Sequence, residues 1–313
     1  MARALVFPGQ GSQAVGMGRD LHAAFPTARL VFEEVDEALK QSLSRLMFEG
    51  PAEQLTLTEN AQPALMAVSL AAFRVVERDG GIPLAGMAAF VAGHSLGEYS
   101  ALAAAGTFTL ADAARLLKTR GRAMQKAVPV GEGAMAALIG ADLDKAGEIA
   151  AAAADGEICA VANDNAPGQV VVSGHKAAVE RAVKLASERG VRAALLPVSA
   201  PFHCPLMAPA AEVMAEELAK VTMEVPAVPL IANVTAAPVE EPLTIRKLLV
   251  EQVTGRVRWR ESVVAMRERE VDALVEVGAG KVLSGLARRI VREMGVSSLR
   301  TPADIETFLK TIS

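Results

Sequence analysis

A short apolar run that ends in a glycine-flanked serine constrains this 313-residue chain more than any other feature. Met87–Ala92 is apolar and bounded by turn residues, which is typical of a buried parallel strand. It continues into the Gly-x-Ser-x-Gly pattern of Gly93–Gly97, and Leu96–Ala105 has the composition of a helix. A sharp strand-to-helix turn exposes a serine hydroxyl at the top of a sheet, and the glycines let neighbouring backbone pass. The segment therefore predicts an α/β fold with Ser95 as a candidate nucleophile.

Two backbone N–H groups are candidates for stabilising an oxyanion next to this serine. The N–H of Leu96 follows Ser95 at a helix N-terminus, where the helix dipole favours developing negative charge. A second predicted strand, Arg3–Phe7, opens into the glycine-rich loop Pro8–Gln13, and there the N–H of Gln10 could point into the site. A phosphate cradle or a simple tight turn is the alternative for this loop. It lacks the lysine of a P-loop and the Gly-x-Gly-x-x-Gly spacing.

A serine hydroxyl needs a base to take its proton, and the chain has four histidines. We interpret His22 and His175 as structural, and His94 as a support for the turn, because successive side chains diverge there. His203 lies where the chain returns from a small inserted unit to the larger body, and loops at such junctions border clefts. We therefore predict that His203 is the base. The sequence nominates no Asp or Glu to orient it, and a backbone carbonyl is the alternative.

A helix predicted over Leu110–Lys126 carries an arginine, Arg120, on its apolar face. A guanidinium in that position is costly unless an anion pairs with it. The anion is either an internal Asp or Glu, or a substrate carboxylate held by a bidentate fork. Basic residues spaced by three or four positions predict one exposed stripe on the same helix, which is either simply solvated or attractive to an acidic protein. The stripe consists of Arg115, Lys118, Arg122 and Lys126.

The middle of the chain differs from the rest in the order of its predicted elements. These are the strands Ala134–Ile139, Ile158–Ala162, Gln169–Val172 and Arg192–Leu196 and the helices Leu143–Ala153 and Lys176–Glu188. The resulting β-α-β-β-α-β order is the split βαβ pattern of ferredoxin-like units. We therefore predict an α/β-hydrolase-like large subdomain with a short parallel sheet over residues 1–128 and 198–313. An inserted ferredoxin-like small subdomain is predicted over residues 129–197.

Composition narrows the classes of function. A formal net charge of −4 and an aromatic content of 4% argue against a nucleic-acid partner. Two cysteines, Cys159 and Cys204, predict free thiols and a cytoplasmic location, and Cys204 beside His203 is interpreted as a bystander. A long run without charged residues, Gly80–Gly97, contains five glycines and does not suit a membrane span. We expect a monomer with no metal, no membrane partner and no signal peptide.

Several motifs occur together and in one order along the chain. They are Phe7–Gln13, Gly93–Tyr99, Arg120-Gly121, Phe202-His203, Gln252 ahead of Val257–Trp259, and Gly278–Lys281. With these motifs the chain resembles, over essentially its whole length, the malonyl-CoA:acyl-carrier-protein transacylases of type II fatty acid synthesis. Asn163 and Asn165 match a segment near the cleft of that family, and the resemblance assigns them no role.

The resemblance implies a reaction in two halves. Ser95 takes a malonyl group from malonyl-CoA and passes it to the phosphopantetheine thiol of an acyl carrier protein. His203 acts as base and then as acid, and a main-chain carbonyl near Gln252 orients it. No cofactor is implied, because malonyl-CoA and CoA are substrate and product.

The resemblance also implies roles for the residues around this pair. The N–H groups of Gln10 and Leu96 form the oxyanion hole, and Arg120 binds the malonyl carboxylate. In related polyketide synthase domains the residue before the base helps to select the extender unit, and Phe202 resembles the malonyl type. The basic stripe is a candidate docking surface for the acidic carrier protein.

Three other functions are compatible with parts of this pattern. A polyketide-pathway malonyl transacylase would share all of the motifs. An α/β-hydrolase thioesterase would share the serine turn, although the inserted unit and Arg120 argue against it. A carrier-docking module without catalysis would not need Ser95 and His203.

Overall fold

Two β-sheets organise the protein, and a computed structural model describes residues 2–312. The strands are β1 Ala2–Phe7, β2 Phe90–Gly93, β3 Gly133–Ile139, β4 Cys159–Ala166, β5 Gln169–His175, β6 Arg192–Leu195, β7 Leu230–Ile231, β8 Pro238–Val239, β9 Val271–Val277 and β10 Gly295–Leu299. The helices before the second sheet are α1 Arg19–Ala24, α2 Pro26–Leu39, α3 Leu43–Glu49, α4 Ala52–Thr56, α5 Thr58–Arg74, α6 Leu84–Met87, α7 Gly97–Ala104 and α8 Leu110–Ala127. The remaining helices are α9 Leu143–Ala154, α10 Lys176–Glu188, α11 Ala208–Ala219, α12 Pro242–Thr254, α13 Trp259–Glu268, α14 Val282–Ile290 and α15 Pro302–Ile312. A π-helical turn, Val75–Asp79, extends α5, and a 3₁₀ turn, Pro205–Met207, precedes α11.

The larger sheet has six strands in the order β10-β9-β1-β2-β7-β8. Its neighbours are parallel except for the last pair, β7 and β8. Side chains alternate along β1, so that Leu5 and Phe7 face one apolar cluster and Ala4 and Val6 face another. Helices cover both faces, which is the expected arrangement for a buried parallel sheet.

The larger apolar cluster is built around α5, a helix that is buried on almost every side. Helix α5 packs against α2, α7 and α8, and α8 in turn packs against α11. A helix that is apolar all round is stable only in the interior of a larger body. The polar residue Gln62 is therefore unusual in this helix, because it is 1% exposed. None of the helices within residues 2–312 combines the length and the hydropathy needed to cross a bilayer.

The smaller sheet is antiparallel, with four strands in the order β4-β5-β3-β6. Its elements follow one another as strand, helix, strand, strand, helix, strand from Gly133 to Leu195. Helices α9 and α10 pack on one face and close an apolar cluster of their own. Strand β4 also reaches the larger body, where Asn163 forms a parallel bridge with Val257.

Two sequence predictions need correction. The predicted strand Met87–Ala92 starts only at Phe90, because Leu84–Met87 forms a helical turn whose buried ends pack into the larger cluster. The predicted loop after Ala162 is shorter than expected, since β4 continues to Ala166. The register is irregular at two points, where Ala162 and Asn165 have no paired residue in β5.

Candidate active site

The turn between β2 and α7 carries Ser95 at the carboxyl end of the larger sheet. Ser95 has a φ of 53°, a left-handed conformation that a serine adopts only when its surroundings impose it. A Cβ on Gly93 would lie 1.9 Å from the backbone of Gly97, and one on Gly97 would lie 2.2 Å from the carbonyl oxygen of Phe7. Both glycines are therefore required for β1, β2 and α7 to approach this closely. The tight turn presents the Ser95 hydroxyl to the cleft.

The Ser95 hydroxyl meets the imidazole of His203, which lies 108 positions downstream. The distance from Ser95 Oγ to His203 Nε2 is 2.7 Å, and His203 is 4% exposed. On the other side of the ring, Nδ1 lies 2.9 Å from the carbonyl oxygen of Gln252 and 3.2 Å from that of Gly255. Both partners are acceptors, so Nδ1 carries the proton and Nε2 is free to accept one from Ser95.

Burial lowers the pKa of His203 to about 3, and the nearby Arg120 guanidinium acts in the same direction. The carbonyl oxygens of Gln252 and Gly255 raise this pKa by accepting from the protonated ring, but they do not compensate for burial. The imidazole is therefore neutral at every ordinary pH. A neutral imidazole is the form that can act as a base.

Arg120 is 1% exposed and its guanidinium points at the same hydroxyl. Its Nη2 lies 3.2 Å from Ser95 Oγ and 2.8 Å from Gln252 Oε1, and its Nη1 donates to Gln62 Oε1 at 2.9 Å. The guanidinium also lies over the ring of Tyr99, with its carbon 5.7 Å from the ring centroid. Within residues 2–312, Arg120 forms no ion pair with a carboxylate. The internal Asp or Glu that the sequence left open as its partner is therefore not in direct contact with it.

The backbone N–H groups of Gln10 and Leu96 both border the cleft beside Ser95. The loop that holds Gln10 lies next to the serine turn because the N–H of His94 donates to the carbonyl of Phe7 at 3.0 Å. In the part of the chain that the structure describes, neither N–H donates to another protein group. Two unused donors next to a nucleophile can stabilise an oxyanion.

The cleft has a volume of about 480 Å³ and lies between the two sheets. Ser95, His203 and Arg120 supply its polar end. Further polar residues, among them Gln13, Thr56 and Asn163, also line the cleft. The apolar part of its wall consists of Met124, Met135, Val171, Leu196, Val198 and Phe202. Phe202 is 8% exposed and precedes the base directly. A narrow cleft with an apolar wall and one cationic end suits a small acyl group that carries a negative charge.

The His94 side chain links the serine turn to the smaller sheet. Its Nε2 lies 2.8 Å from the Oδ1 of Asn165 on β4, and its ring lies 5.8 Å from that of Trp259. Burial lowers the pKa of His94, and the hydrogen bond to Asn165 opposes this only in part. These contacts agree with a supporting role for His94, and they place Asn165 beside the serine turn.

Sequence reasoning assigned no role to three residues that hold this site. Asn233, just beyond β7, accepts from the N–H of Ser95 at 2.8 Å and donates to the carbonyl of Gly93 at 2.6 Å. Glu98 accepts from Gln252 Nε2 at 2.5 Å, and Gln62 holds Arg120. The signals available were a polar residue in an apolar helix for Gln62 and a polar residue at a strand end for Asn233.

The predicted basic stripe needs one correction. Arg115, Arg122 and Lys126 are exposed on α8, but Lys118 is 8% exposed. The Nζ of Lys118 lies 3.0 Å from a carboxylate oxygen of Glu59 and donates to the side chains of Gln41 and Asn60. Its long side chain reaches inward because α5 offers it an anion. Lys118 is therefore not available to a partner.

With this geometry established, comparison with known proteins gives the family. Residues 4–302 match the family model described as acyl transferase domain. The chain belongs to the acyl transferase domain family. It is 47% identical over 308 residues to the malonyl CoA-acyl carrier protein transacylase of Escherichia coli K12, with 98% of each chain covered.

Solved structures of acyl transferases share this fold. The acyl-carrier-protein-S-malonyltransferase of Bartonella henselae is 56% identical, with a TM-score of 0.97 and coverage of 100% of this chain and 99% of the other. A malonyl-transacylase in complex with its type II PKS acyl-carrier protein is 42% identical, with a TM-score of 0.96 and coverage of 99% and 100%. This acyl transferase therefore has the mixed α/β fold with a parallel sheet seen in those structures.

Proposed function

We propose that this acyl transferase moves a malonyl group from malonyl-CoA to the phosphopantetheine thiol of an acyl carrier protein, as the names of its relatives indicate. One observation carries the proposal. The Ser95 hydroxyl lies 2.7 Å from the neutral imidazole of His203 and 3.2 Å from the buried guanidinium of Arg120. A base and a cation without a carboxylate in direct contact, both beside the same nucleophile, fit an acyl group that ends in a carboxylate.

In the first half of the reaction, Ser95 gives its proton to His203 Nε2 while Oγ attacks the thioester carbonyl carbon. The carbonyl oxygen becomes an oxyanion held by the N–H groups of Gln10 and Leu96. The carbon–sulfur bond then breaks, and the CoA thiolate takes the proton from the imidazolium. Malonyl-Ser95 and CoA are the products. The scheme needs no redox cofactor, since acyl exchange between a thiol and a hydroxyl changes no oxidation state, and it assigns the oxyanion to backbone N–H groups and not to a metal.

In the second half, the carrier thiol gives its proton to His203 and its sulfur attacks the malonyl-serine ester. The ester bond to Oγ breaks, and His203 returns the proton to Ser95. The imidazolium is formed only transiently, and the carbonyl oxygens of Gln252 and Gly255 accept from its Nδ1–H. These two dipoles take the place of the acid in a Ser-His-Asp triad.

Selection of the acyl group falls to Arg120 and Phe202 in this proposal. The Arg120 guanidinium exchanges one of its neutral acceptors for the malonyl carboxylate, which turns a hydrogen bond into a charge-assisted pair. Phe202 narrows the cleft beside the carbon between the two carbonyl groups. The acidic carrier protein docks on Arg115, Arg122 and Lys126, which remain exposed at one side of α8.

The expected division of the chain fits this scheme. We assign residues 1–128 and 198–313 to an α/β-hydrolase-like large subdomain and residues 129–197 to a ferredoxin-like small subdomain. The order β4-β5-β3-β6 of the smaller sheet supports the second assignment. A monomer suffices, because one chain supplies every group named above. Two free thiols, Cys159 and Cys204, agree with a cytoplasmic location.

A polyketide carrier is a second candidate acceptor. It is favoured by one comparison, the complex of a type II PKS acyl-carrier protein with its malonyl-transacylase. The two pathways use the same chemistry at Ser95 and differ in the carrier surface. Transfer rates from the malonylated enzyme to purified carrier proteins of the two kinds separate them.

Intact-mass measurement after addition of malonyl-CoA alone tests the proposed reaction. We expect the protein to gain the mass of one malonyl group, to lose it when a carrier thiol is added, and to show no gain in Ser95→Ala. A thioesterase would instead release free malonate steadily without any acceptor. A malonyl adduct that persists in Ser95→Ala would exclude the serine ester, and no adduct on the wild-type protein would exclude the whole scheme.

A further inference from the structure

Glu98 is a buried carboxyl group directly behind the serine turn. It lies in the first turn of α7 and is 1% exposed. Its Oε2 accepts from Gln252 Nε2 at 2.5 Å, and its Oε1 accepts from the main-chain N–H of Asn233 at 3.2 Å. Among residues 2–312 it has no Lys or Arg as an ion-pair partner. A buried acid held only by neutral donors is costly and needs a reason in the function of the site.

The side chain that Glu98 holds, Gln252, is completely buried and fully occupied. Its Nε2 donates to Glu98 and to the carbonyl of Ser95 at 2.9 Å, and its Oε1 accepts from Arg120 at 2.8 Å. A carboxylate can only accept and a guanidinium can only donate. The Gln252 amide therefore has a single orientation, with its oxygen towards Arg120 and its nitrogen towards Glu98.

From this chain of contacts we infer that Glu98 is a positioning residue: by holding the Gln252 amide in one orientation, it aims the Arg120 guanidinium at the carboxylate of the substrate. The inference rests on the proposed function, in which that carboxylate belongs to a malonyl group. Arg120 has two neutral acceptors, Gln62 on one side and Gln252 on the other. Without Glu98 the Gln252 nitrogen keeps only the Ser95 carbonyl as an acceptor, so the amide is held less firmly and can turn its nitrogen, which repels the guanidinium, towards Arg120.

Burial raises the pKa of Glu98 to about 7, and the N–H donors of Gln252 and Asn233, with the charge of Arg120, act against burial. The charged or titratable groups that face Glu98 are Arg120 on α8 and the Tyr99 phenol on its own helix. Its other neighbours, Gln252 and Asn233, do not titrate. Once protonated, the carboxyl group turns one acceptor into a donor and can no longer hold both neighbours. The Arg120 guanidinium should therefore be oriented less firmly towards the substrate carboxylate as the pH falls below about 7.

Acylation of Ser95 by malonyl-CoA and by acetyl-CoA tests the inference, because acetyl lacks the carboxylate. In Glu98→Ala we expect the malonyl-to-acetyl ratio of acylation rates to fall about 10- to 100-fold, the scale of a group misplaced by about 1 Å. Gln252→Ala should lower the ratio similarly, and the double variant should lower it no further. Equal losses for both acyl groups in Glu98→Ala, or additive losses of the ratio in the double variant, would overturn the inference.

Glu98→Gln keeps the shape of the side chain but, like the protonated carboxyl group, it has only one oxygen that can accept. We expect its ratio to be flat from pH 8 to pH 6 and to equal the lower ratio that the wild type approaches at pH 6, whereas the wild-type ratio falls over that range as Glu98 takes up a proton. A flat wild-type ratio would contradict the inference, even if Glu98→Ala fails to fold.

Glu276→Gln is the matched control for loss of a buried acid. Glu276 is 0% exposed and accepts from Leu283 and Ser284 at the start of α14, away from the network of Glu98. This variant should lose stability with an unchanged malonyl-to-acetyl ratio. A ratio that falls as much as in Glu98→Ala would show that general destabilisation is the cause. Failure of the proposed function is separate, since wild-type enzyme would then not be acylated by malonyl-CoA at all.

Discussion

Helix α8 carries two buried cations, Lys118 and Arg120, only two positions apart, and they are compensated in different ways. Lys118 faces α5, where its ammonium lies 3.0 Å from a carboxylate oxygen of Glu59. The guanidinium of Arg120 faces the cleft, and its hydrogen-bond partners Gln62, Gln252 and Ser95 are all neutral. One cation forms an ion pair within the protein, whereas the other is hydrogen-bonded only to neutral groups, with the Glu98 carboxyl group nearby but not in contact.

The difference distinguishes a structural cation from a binding cation. A buried ion pair satisfies both charges at once and has nothing to offer a ligand. A buried guanidinium held by neutral acceptors keeps its full charge and can take a stronger anionic partner. Its place beside Ser95 therefore predicts the charge of the acyl group. Burial by itself does not, because Lys118 is nearly as buried.

Among the variants that test this comparison, removal of Arg120 should have the largest effect, and the effect should be on the rate of malonylation. Two charge-assisted hydrogen bonds to a carboxylate correspond to about a 10²- to 10⁴-fold effect, so Arg120→Ala should slow malonylation of Ser95 by that factor. Acetylation should slow by about tenfold or less in Arg120→Ala. The malonylation rate of Arg120→Lys should lie between those of wild type and Arg120→Ala, because lysine keeps the charge but cannot form the bidentate contact. Quenched-flow mass spectrometry of the acyl-enzyme measures both rates. Equal losses for malonyl and acetyl would refute the carboxylate role.

Removal of the charge at Lys118 should change stability without changing selection. Lys118→Met keeps the length of the side chain, and it leaves Glu59 with Arg122 alone at 2.7 Å. We expect the free energy of unfolding to drop by about 1 to 3 kcal/mol, the typical cost of breaking buried charge-assisted hydrogen bonds. Urea unfolding measures this drop, and the malonyl-to-acetyl ratio should stay within about twofold of wild type. A lower malonyl-to-acetyl ratio would show that Lys118 also affects the selection of the acyl group.

The smallest of the expected effects is the pH dependence of the stability that the Glu59 contacts contribute. Burial alone raises the pKa of Glu59, but hydrogen bonds from Arg122 and Lys118 outweigh it and hold the pKa below its ordinary value of 4.5. A carboxyl group with a lowered pKa stabilises the fold above its unfolded pKa and loses that contribution as the pH falls through the folded one. The free energy of unfolding of the wild type should exceed that of Glu59→Gln by about 1 kcal/mol or less at pH 7, since Glu59 is partly exposed.

Urea unfolding of wild type and Glu59→Gln between pH 7 and pH 3 measures this difference. It should shrink below about pH 4.5 and vanish at the acid end of the range. A difference that persists unchanged at pH 3 would assign the stabilisation to packing instead of charge.

Local patterns predicted much of the fold. The helix expected over Lys176–Glu188 has those bounds in the structure, because its apolar residues recur with the helical period. Predictions were less accurate where tertiary contacts decide the local conformation. The helical turn Leu84–Met87 overlaps the start of the predicted strand Met87–Ala92, and β4 extends through residues that are typical of turns. Hydrophobic periodicity and local composition carry no information about these tertiary contacts.

The stripe on α8 shows the same limit for the site. A helical spacing of three or four places Lys118 beside Arg115 and Arg122, and the prediction of an exposed surface followed from that. A side chain with four carbons can instead turn inward when a neighbouring helix offers a carboxylate, and α5 offers Glu59. The position of Arg120 on the apolar face was visible in the sequence, but the neutral character of its partners was not.

By itself, the order of residues determined the serine turn, since only glycines fit where the backbones of β1, β2 and α7 meet. It also predicted that His203 is the base for this serine, and it left Arg120 open between an internal partner and a substrate carboxylate. Tertiary structure decided which groups surround them: two carbonyl oxygens behind His203, and the amides of Gln62 and Gln252 around Arg120. The physical reason is range. Turn sterics act between adjacent residues, whereas the pKa values of these buried groups depend on partners 49 to 132 positions away in the sequence.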